Sequence, residues 1–512
     1  MIVVPLSYTV LFGEDNTPTR EDLIKGIPSK FILLFLAIIN HQLDRKKTDT
    51  EIISFLSEGW DVQFRSTFAY AMDRAKAKGA EERKMFAKWI TTEAIKDELL
   101  NYRSEPAKIS LSPIEETEVF IAYLKFVDDL LSRETFNPKE YDVKPEKPDW
   151  FIDNTWSHLL PQWEFQATYN LMFEAFKGAV FLNEIKKIHD KKSYVKTYLA
   201  SYGYSTIWEL VNIFIDVIKK AWYAEKEIAA PILYSPSGSV NRLFMEEKTI
   251  DPNEYKEKTK SQQRYNGILK APLFQYDDNR FIVLNWSFFI SQISIGLLFD
   301  FFQRSGIKGA HKNNFGDFKS EIGKRISENV VFRGLINAIF RKKHLRKSFD
   351  EGLTKPDAYI RDGNYIYVFE YKDTLFPNTT IETFNSDEIK QLLDNRFCKN
   401  QGVKQLIKHI IFLEYGSIGN DHLDNKSRES LTIIPVLVYD DLRFSMPGVN
   451  FYVNKRFLEQ LPKAKFRKVY PLTMISLTFL YENLYSLQKE NLRSIIKKFH
   501  KKCSYDLHWR SK

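Results

Sequence analysis

Between Lys355 and Lys372 the chain reads Lys-Pro-Asp-Ala-Tyr-Ile-Arg-Asp-Gly-Asn-Tyr-Ile-Tyr-Val-Phe-Glu-Tyr-Lys. Two apolar runs flank the turn residues Asp362-Gly363-Asn364, a pattern that predicts a tight hairpin of two strands, Lys355 to Ile360 and Tyr365 to Lys372. Side chains alternate along a strand, so Tyr365, Tyr367, Phe369 and Tyr371 share one face while Ile366, Val368, Glu370 and Lys372 share the other. An acid and a lysine at the end of an otherwise apolar strand must be paired or coordinated if they are buried. Asp357 follows Pro356 at the start of the partner strand, thirteen residues before Glu370. The hairpin therefore brings the two carboxylates to within a few ångströms of each other.

Two hard carboxylates, with the backbone carbonyl of Tyr371 beside them, make an oxygen-rich set suited to Mg²⁺ that keeps several waters, with Mn²⁺ as a substitute. Phosphodiester hydrolysis needs an activated water, a Lewis acid on the scissile phosphate and compensation for developing charge. The cation would supply the first two. Lys372 would either orient and help deprotonate the water or neutralise the phosphate, and both roles fit the sequence.

The Pro-Asp followed at hairpin distance by Glu-Tyr-Lys resembles the PD-(D/E)xK, or restriction-endonuclease-like, superfamily over roughly residues 312 to 505. That resemblance implies an α/β domain with a mixed central sheet flanked by helices, in which Asp357, Glu370 and Lys372 are catalytic and Asp357, Glu370 and Tyr371 hold Mg²⁺. It further implies an acid on the first helix, matched by Glu321 in Phe318-Lys319-Ser320-Glu321-Ile322. A Gln or basic residue on a later helix is matched by Gln405, with Lys404 beside it, in Gly402-Val403-Lys404-Gln405-Leu406. The implied activity is a metal-dependent deoxyribonuclease, an endonuclease of bacterial restriction or anti-phage defence, working as a homodimer or under a regulatory protein partner. The alternative is a nuclease fold that has lost catalysis and serves as a nucleic-acid-binding or scaffolding protein. Glu-x-Lys strings also occur at Glu184, Glu246, Glu254 and Glu388, but none ends an apolar strand preceded by Pro-Asp.

Charge is unevenly placed along the 512 residues. Residues 301–512 carry 37 Lys and Arg against 23 Asp and Glu, a net +14, and residues 1–300 carry 38 against 43, a net −5. A basic part joined to a mildly acidic one suits a polyanion-binding module with a separate partner surface, and equally suits a solvated lysine-rich surface. The run Arg341, Lys342, Lys343, His344, Leu345, Arg346, Lys347 is the expected phosphate grip, with Lys497, Lys498, Lys501 and Lys502 as a second cluster.

Helical spacing of apolar residues predicts a mainly α-helical amino-terminal region over residues 1–234. A polar loop, hairpin and bridging helix over 235–311 are expected to lead into the α/β domain, 312–512. Within the first region, residues 1–13 read as a buried strand and Arg133 to Trp150 as a loop. The apolar run Leu431 to Tyr439 reads as a strand, with Pro435 implying a bulge or an edge. Two cysteines, Cys398 and Cys503, exclude a disulfide scaffold and suit a cytoplasmic protein. No run is long and apolar enough for a membrane span, and residues 1–13 lack the basic start of a signal peptide. Phosphate-loop, HExxH and nucleophile-elbow motifs are absent, and the nine histidines are scattered, so His344 and His409 read as surface or satisfied helix residues.

Overall fold

The structure is a computed structural model that describes residues 4–13, 18–104, 108–133, 148–166, 169–188, 193–223, 233–259, 265–349, 355–382, 385–419, 421–423 and 425–506. Its contacts divide the chain into two compact units, residues 1–141 with 191–305 and residues 142–190 with 306–512. The second unit is thus discontinuous in sequence. Residues 235–266, the polar start of the stretch expected to lead into the α/β domain, fall in the first unit and carry the helices Ser239–Glu247 and Pro252–Thr259. Phe244, Met245 and Tyr255 are the buried side of this polar-looking segment. The loop expected over Arg133 to Trp150 lies almost entirely outside the described residues.

The first unit is mostly helical, with Ser29–Asp44, Asp49–Leu56, Lys88–Leu100 and Pro113–Arg133 where the apolar spacing places them. Thr48 and Glu51 form a reciprocal capping box that satisfies amides at the start of the second of these. Trp60, Phe68 and Phe120 pack edge-on or tilted in its core, with ring centroids 4.3 to 5.4 Å apart. A small antiparallel sheet joins β1 (Leu233–Tyr234), β2 (Leu273–Asp277) and β3 (Arg280–Val283) in the order β1-β3-β2. The buried strand expected near the amino terminus is instead a single bridge at Pro5 followed by a short helix, Tyr8–Phe12. The single helix expected after β3 is two, Trp286–Ser291 and Ile295–Arg304.

The second unit is built on a mixed six-stranded sheet of β4 (Arg346–Ser348), β5 (Ala358–Asp362), β6 (Tyr365–Lys372), β7 (Thr432–Tyr439), β8 (Lys468–Val469) and β9 (Thr473–Ser476). β4, β5 and β6 are antiparallel, β7 runs parallel to β6, and β8 and β9 follow one another along the far side of β7. The hairpin loop is Gly363-Asn364, with φ +59° at the glycine, a first-position requirement that favours Gly. The alternation expected for β6 holds. Tyr367, Phe369 and Tyr371 enter one core with Phe332, Ile336 and Ile339, while the opposite face of β6 meets the helix Val403–Leu413.

β7 is buried along its whole length and its pairing with β6 is unbroken through Pro435, so neither a bulge nor an edge is present. The Tyr470 amide donates to the Ile433 carbonyl. Backbone groups alternate sides, so Pro435 faces the same way as Ile433, into the gap between β8 and β9 where no ladder partner is needed. A helix over Val449–Gln460 supplies the crossover from β7 to β8 and β9.

Candidate active site

The last ladder pair of the hairpin is Ala358 with Phe369, and continuing that register sets Asp357 directly opposite Glu370 on the same face. The Asp357 carboxylate accepts the Tyr371 amide at 2.7 Å. Glu370 is 1% exposed and both of its oxygens are engaged: Oε2 by Lys372 Nζ at 3.1 Å and Oε1 by His409 Nε2 at 2.8 Å. On the other side of β6, the Tyr371 ring stacks on Phe332 at 5.1 Å, which locks the strand end from behind.

The Asp357 carboxylate sits in an unfavourable place. Burial, then the neighbouring Glu370, pushes the Asp357 carboxyl up to about 8, against the opposing pull of Lys372. Two acids in one poorly solvated place resist simultaneous ionisation. Glu328 adds to that field, and its own carboxyl is raised by burial despite Arg333 at 3.2 Å.

The strand end opens into a cleft of about 820 Å³. One wall is the helix Phe315–Ile322 and its continuation Gly323–Phe332, in which the turns widen to the π-helical form. Lys319, Lys324 and Glu328 line it, and Lys319 pairs with Asp373 at 2.5 Å. Gly323 lets this helix approach, because a Cβ there would stand 3.0 Å from Asp373 Oδ2. The other wall carries Asn395, Arg396, Gln401, Gln405 and His409. Lys319, Lys324, Arg333, Lys355, Lys372 and Arg396 outnumber the acids Glu328, Asp357, Glu370 and Asp373.

The structure therefore brings together Asp357, Glu370, Tyr371 and Lys372, with Gln405 on the cleft wall, where its side chain also caps the Gly402 amide at 2.9 Å. Glu321 is elsewhere. It meets His311 at 3.5 Å and Arg325 at 3.3 Å, and the acid this helix presents to the cleft is Glu328. Cleft residues on the helix run in rows spaced by four, Phe315-Lys319-Gly323 and Gly316-Ser320-Lys324-Glu328, and Glu321 falls one residue off them. Lys404 is exposed and does not line the cleft.

The run Arg341 to Lys347 is also not at the cleft. Arg346 pairs across from Arg361 and His344 approaches Asp362 at 3.6 Å, so the run lies by the hairpin turn, the opposite end of the strands from Asp357. Arg346 is held there by Asp421, which also takes Arg361 at 2.6 Å and the Tyr359 hydroxyl at 2.5 Å. Lys347 is partly buried in the edge strand β4, whereas Arg341, Lys342 and Lys343 are exposed before it.

His409, which from the sequence alone reads as a surface or satisfied helix residue, reaches into the site. It is 2% exposed and bound to Glu370, and the available signal was its i, i+4 spacing from Gln405 on the same helix. Among the described residues no set of three or more His, Cys, Asp or Glu side chains converges on one point, and no helix is long and apolar enough to cross a membrane. Comparison with protein-family models, curated proteins and solved structures finds no match for this chain.

Proposed function

We propose that the second unit is a metal-dependent nuclease that hydrolyses phosphodiester bonds of DNA, with Asp357 and Glu370 as cation ligands and Lys372 as the catalytic cation. The observation that carries this reading is the pairing of Asp357 opposite Glu370, with Lys372 on Glu370, at the floor of a cleft rich in Lys and Arg. Buried Glu370 and half-buried Asp357, whose carboxyl is raised to about 8 first by desolvation and then by Glu370, form a donor set that a divalent cation would relieve. Mg²⁺, when bound, supplies Lewis-acid chemistry at the scissile phosphate and an activated water. Tyr371 orients Asp357 through its amide, and Lys372 places a positive charge where the phosphate must come. The remaining cleft cations attract the polyanion without reading its sequence. A role in bacterial defence, with either dimer formation or control by a regulatory protein partner, belongs to the same proposal.

The test is cleavage of plasmid and single-stranded DNA by wild type, Asp357→Ala and Lys372→Ala, each with Mg²⁺, Mn²⁺ or EDTA. Wild type should cut with either metal and not in EDTA, and each variant should lose at least about a hundredfold in rate, the scale of removing one preorganised charge. Equal cutting by all three proteins would put the chemistry elsewhere. DNA binding without cutting under any condition would favour the inactive, nucleic-acid-binding alternative.

A further inference from the structure

Glu370 has no freedom in this site, and the group that removes it lies outside the hairpin. The helix Val403–Leu413 packs its apolar face, Val403, Leu406, Ile410 and Leu413, toward the sheet, and His409 is the polar residue on that buried side. A buried imidazole is costly unless it is satisfied, and here it meets Glu370 Oε1 at 2.8 Å. Lys372 holds the other oxygen at 3.1 Å.

We infer that His409 is the positioning residue of the site: it fixes Glu370 Oε1 on the helix side, so that Oε2, which it shares only with Lys372 Nζ at 3.1 Å, is the oxygen a divalent cation would take. This rests on the proposed reading of Asp357 and Glu370 as cation ligands. Without His409, Oε1 would be buried without its partner, and the Lys372 ammonium could draw the whole carboxylate into a two-oxygen pairing. That pairing competes with a cation for the same lone pairs. Histidine is a stiff side chain with two torsions, and its helix is itself anchored at Gly402, so the imidazole is a fixed partner for Oε1. A carboxylate held by such an outer partner binds metal more tightly than one free to turn.

The experiment is Mn²⁺ binding to the full chain without DNA, read by electron paramagnetic resonance of the free ion, together with thermal unfolding in EDTA. His409→Leu should weaken Mn²⁺ roughly 10- to 100-fold, the scale seen for lost outer partners of metal ligands. His409→Gln, whose amide N–H reaches nearly as far as Nε2, should recover most of that loss. If the leucine variant does not fold, His409→Asn gives the same reading, because its donor stops short of Glu370 while the residue stays polar. Wild-type affinity in a folded His409→Leu or His409→Asn protein would overturn the inference, as would a His409→Gln protein as weak as the leucine variant. Failure of the nuclease reading looks different: wild type and Asp357→Ala would bind Mn²⁺ equally poorly, and both proposals would then fall together.

Discussion

An aspartate that ordinarily ionises at 3.8 is pushed to about 8 at position 357, first by burial and then by Glu370. A raised carboxyl contributes stability that is complete below pH 4 and is lost as the pH rises through 8, where the folded protein must give up a proton it prefers to keep. The cation-free protein should therefore lose thermal stability between pH 5 and 8. Asp357→Asn has no such proton, keeps an acceptor for the Tyr371 amide, and should exceed wild type at pH 8 by on the order of a few kcal/mol. Mg²⁺ should raise the melting temperature of wild type at that pH and leave the variant unmoved. Melting curves with EDTA and with Mg²⁺ decide it, and a variant less stable than wild type at pH 8 in EDTA would contradict it. Asp357, Glu370 and Lys372 were legible because strand alternation and a two-residue turn fix which side chains meet. Glu328 was not. An α-helical period gives no warning of the wide turns from Gly323 to Phe332, which alter the helix phase and keep a four-residue row on the cleft side as far as Glu328. His409 was hidden for another reason: a lone histidine on an apolar helix face carries no mark of its partner.

The elements that hold the site depend on a backbone position rather than on a side chain. Gly402 begins the helix carrying Gln405 and His409 with φ +55°, and a Cβ there would stand 2.6 Å from the Phe397 carbonyl oxygen and 2.7 Å from Leu437 Cδ1. Neither neighbour can retreat, since one is backbone and the other lies in the buried central strand β7. Gly402→Ala should cost on the order of 2–4 kcal/mol, combining positive-φ strain with overpacking. Urea unfolding measures it, and a cost below about 0.5 kcal/mol, the ordinary surface range, would show that this loop is free to move. The hairpin and β7 were readable because their apolar runs exceed the length of local noise. β4 was not, being three residues of Arg-Lys-Ser whose strand identity comes only from pairing with β5. Pro435 misled for a related reason. A proline's missing N–H matters only where the sheet asks for it, and that depends on the break between β8 and β9.

For the molecule as a whole, what the sequence could not reveal is that residues 142–190 complete the second unit. The helices Pro148–Gln166 and Leu171–Ile188 look like more of the amino-terminal helical run, and their contacts are hundreds of residues away. Trp156 donates to the Pro447 carbonyl at 2.9 Å, Phe173 stacks on Tyr481 at 4.6 Å, and Phe181 packs edge-on to Phe318 of the cleft helix. Lys177 is half-buried between Asp440 at 2.9 Å and Glu174 at 3.1 Å, just past the end of β7. Burial opposes its charge, but the two carboxylates outweigh burial and hold the ammonium well above its usual range. Lys177→Met would strand both acids and should destabilise by roughly 3–5 kcal/mol, as removing one partner of a buried pair does. The broader consequence concerns where the chain can be cut. A fragment of residues 306–512 keeps the proposed catalytic hairpin, yet it uncovers the core around Phe332, Phe369 and Leu480 that Phe173 helps to close. Such a fragment should bind a hydrophobic dye, give weak near-ultraviolet circular dichroism and unfold without a sharp transition. Joining residues 148–188 to its amino terminus through a flexible linker should restore a cooperative transition. If the fragment alone melted cooperatively at the temperature of the joined form, the two helices would be an accessory and the sheet with its own helices would suffice to build the site.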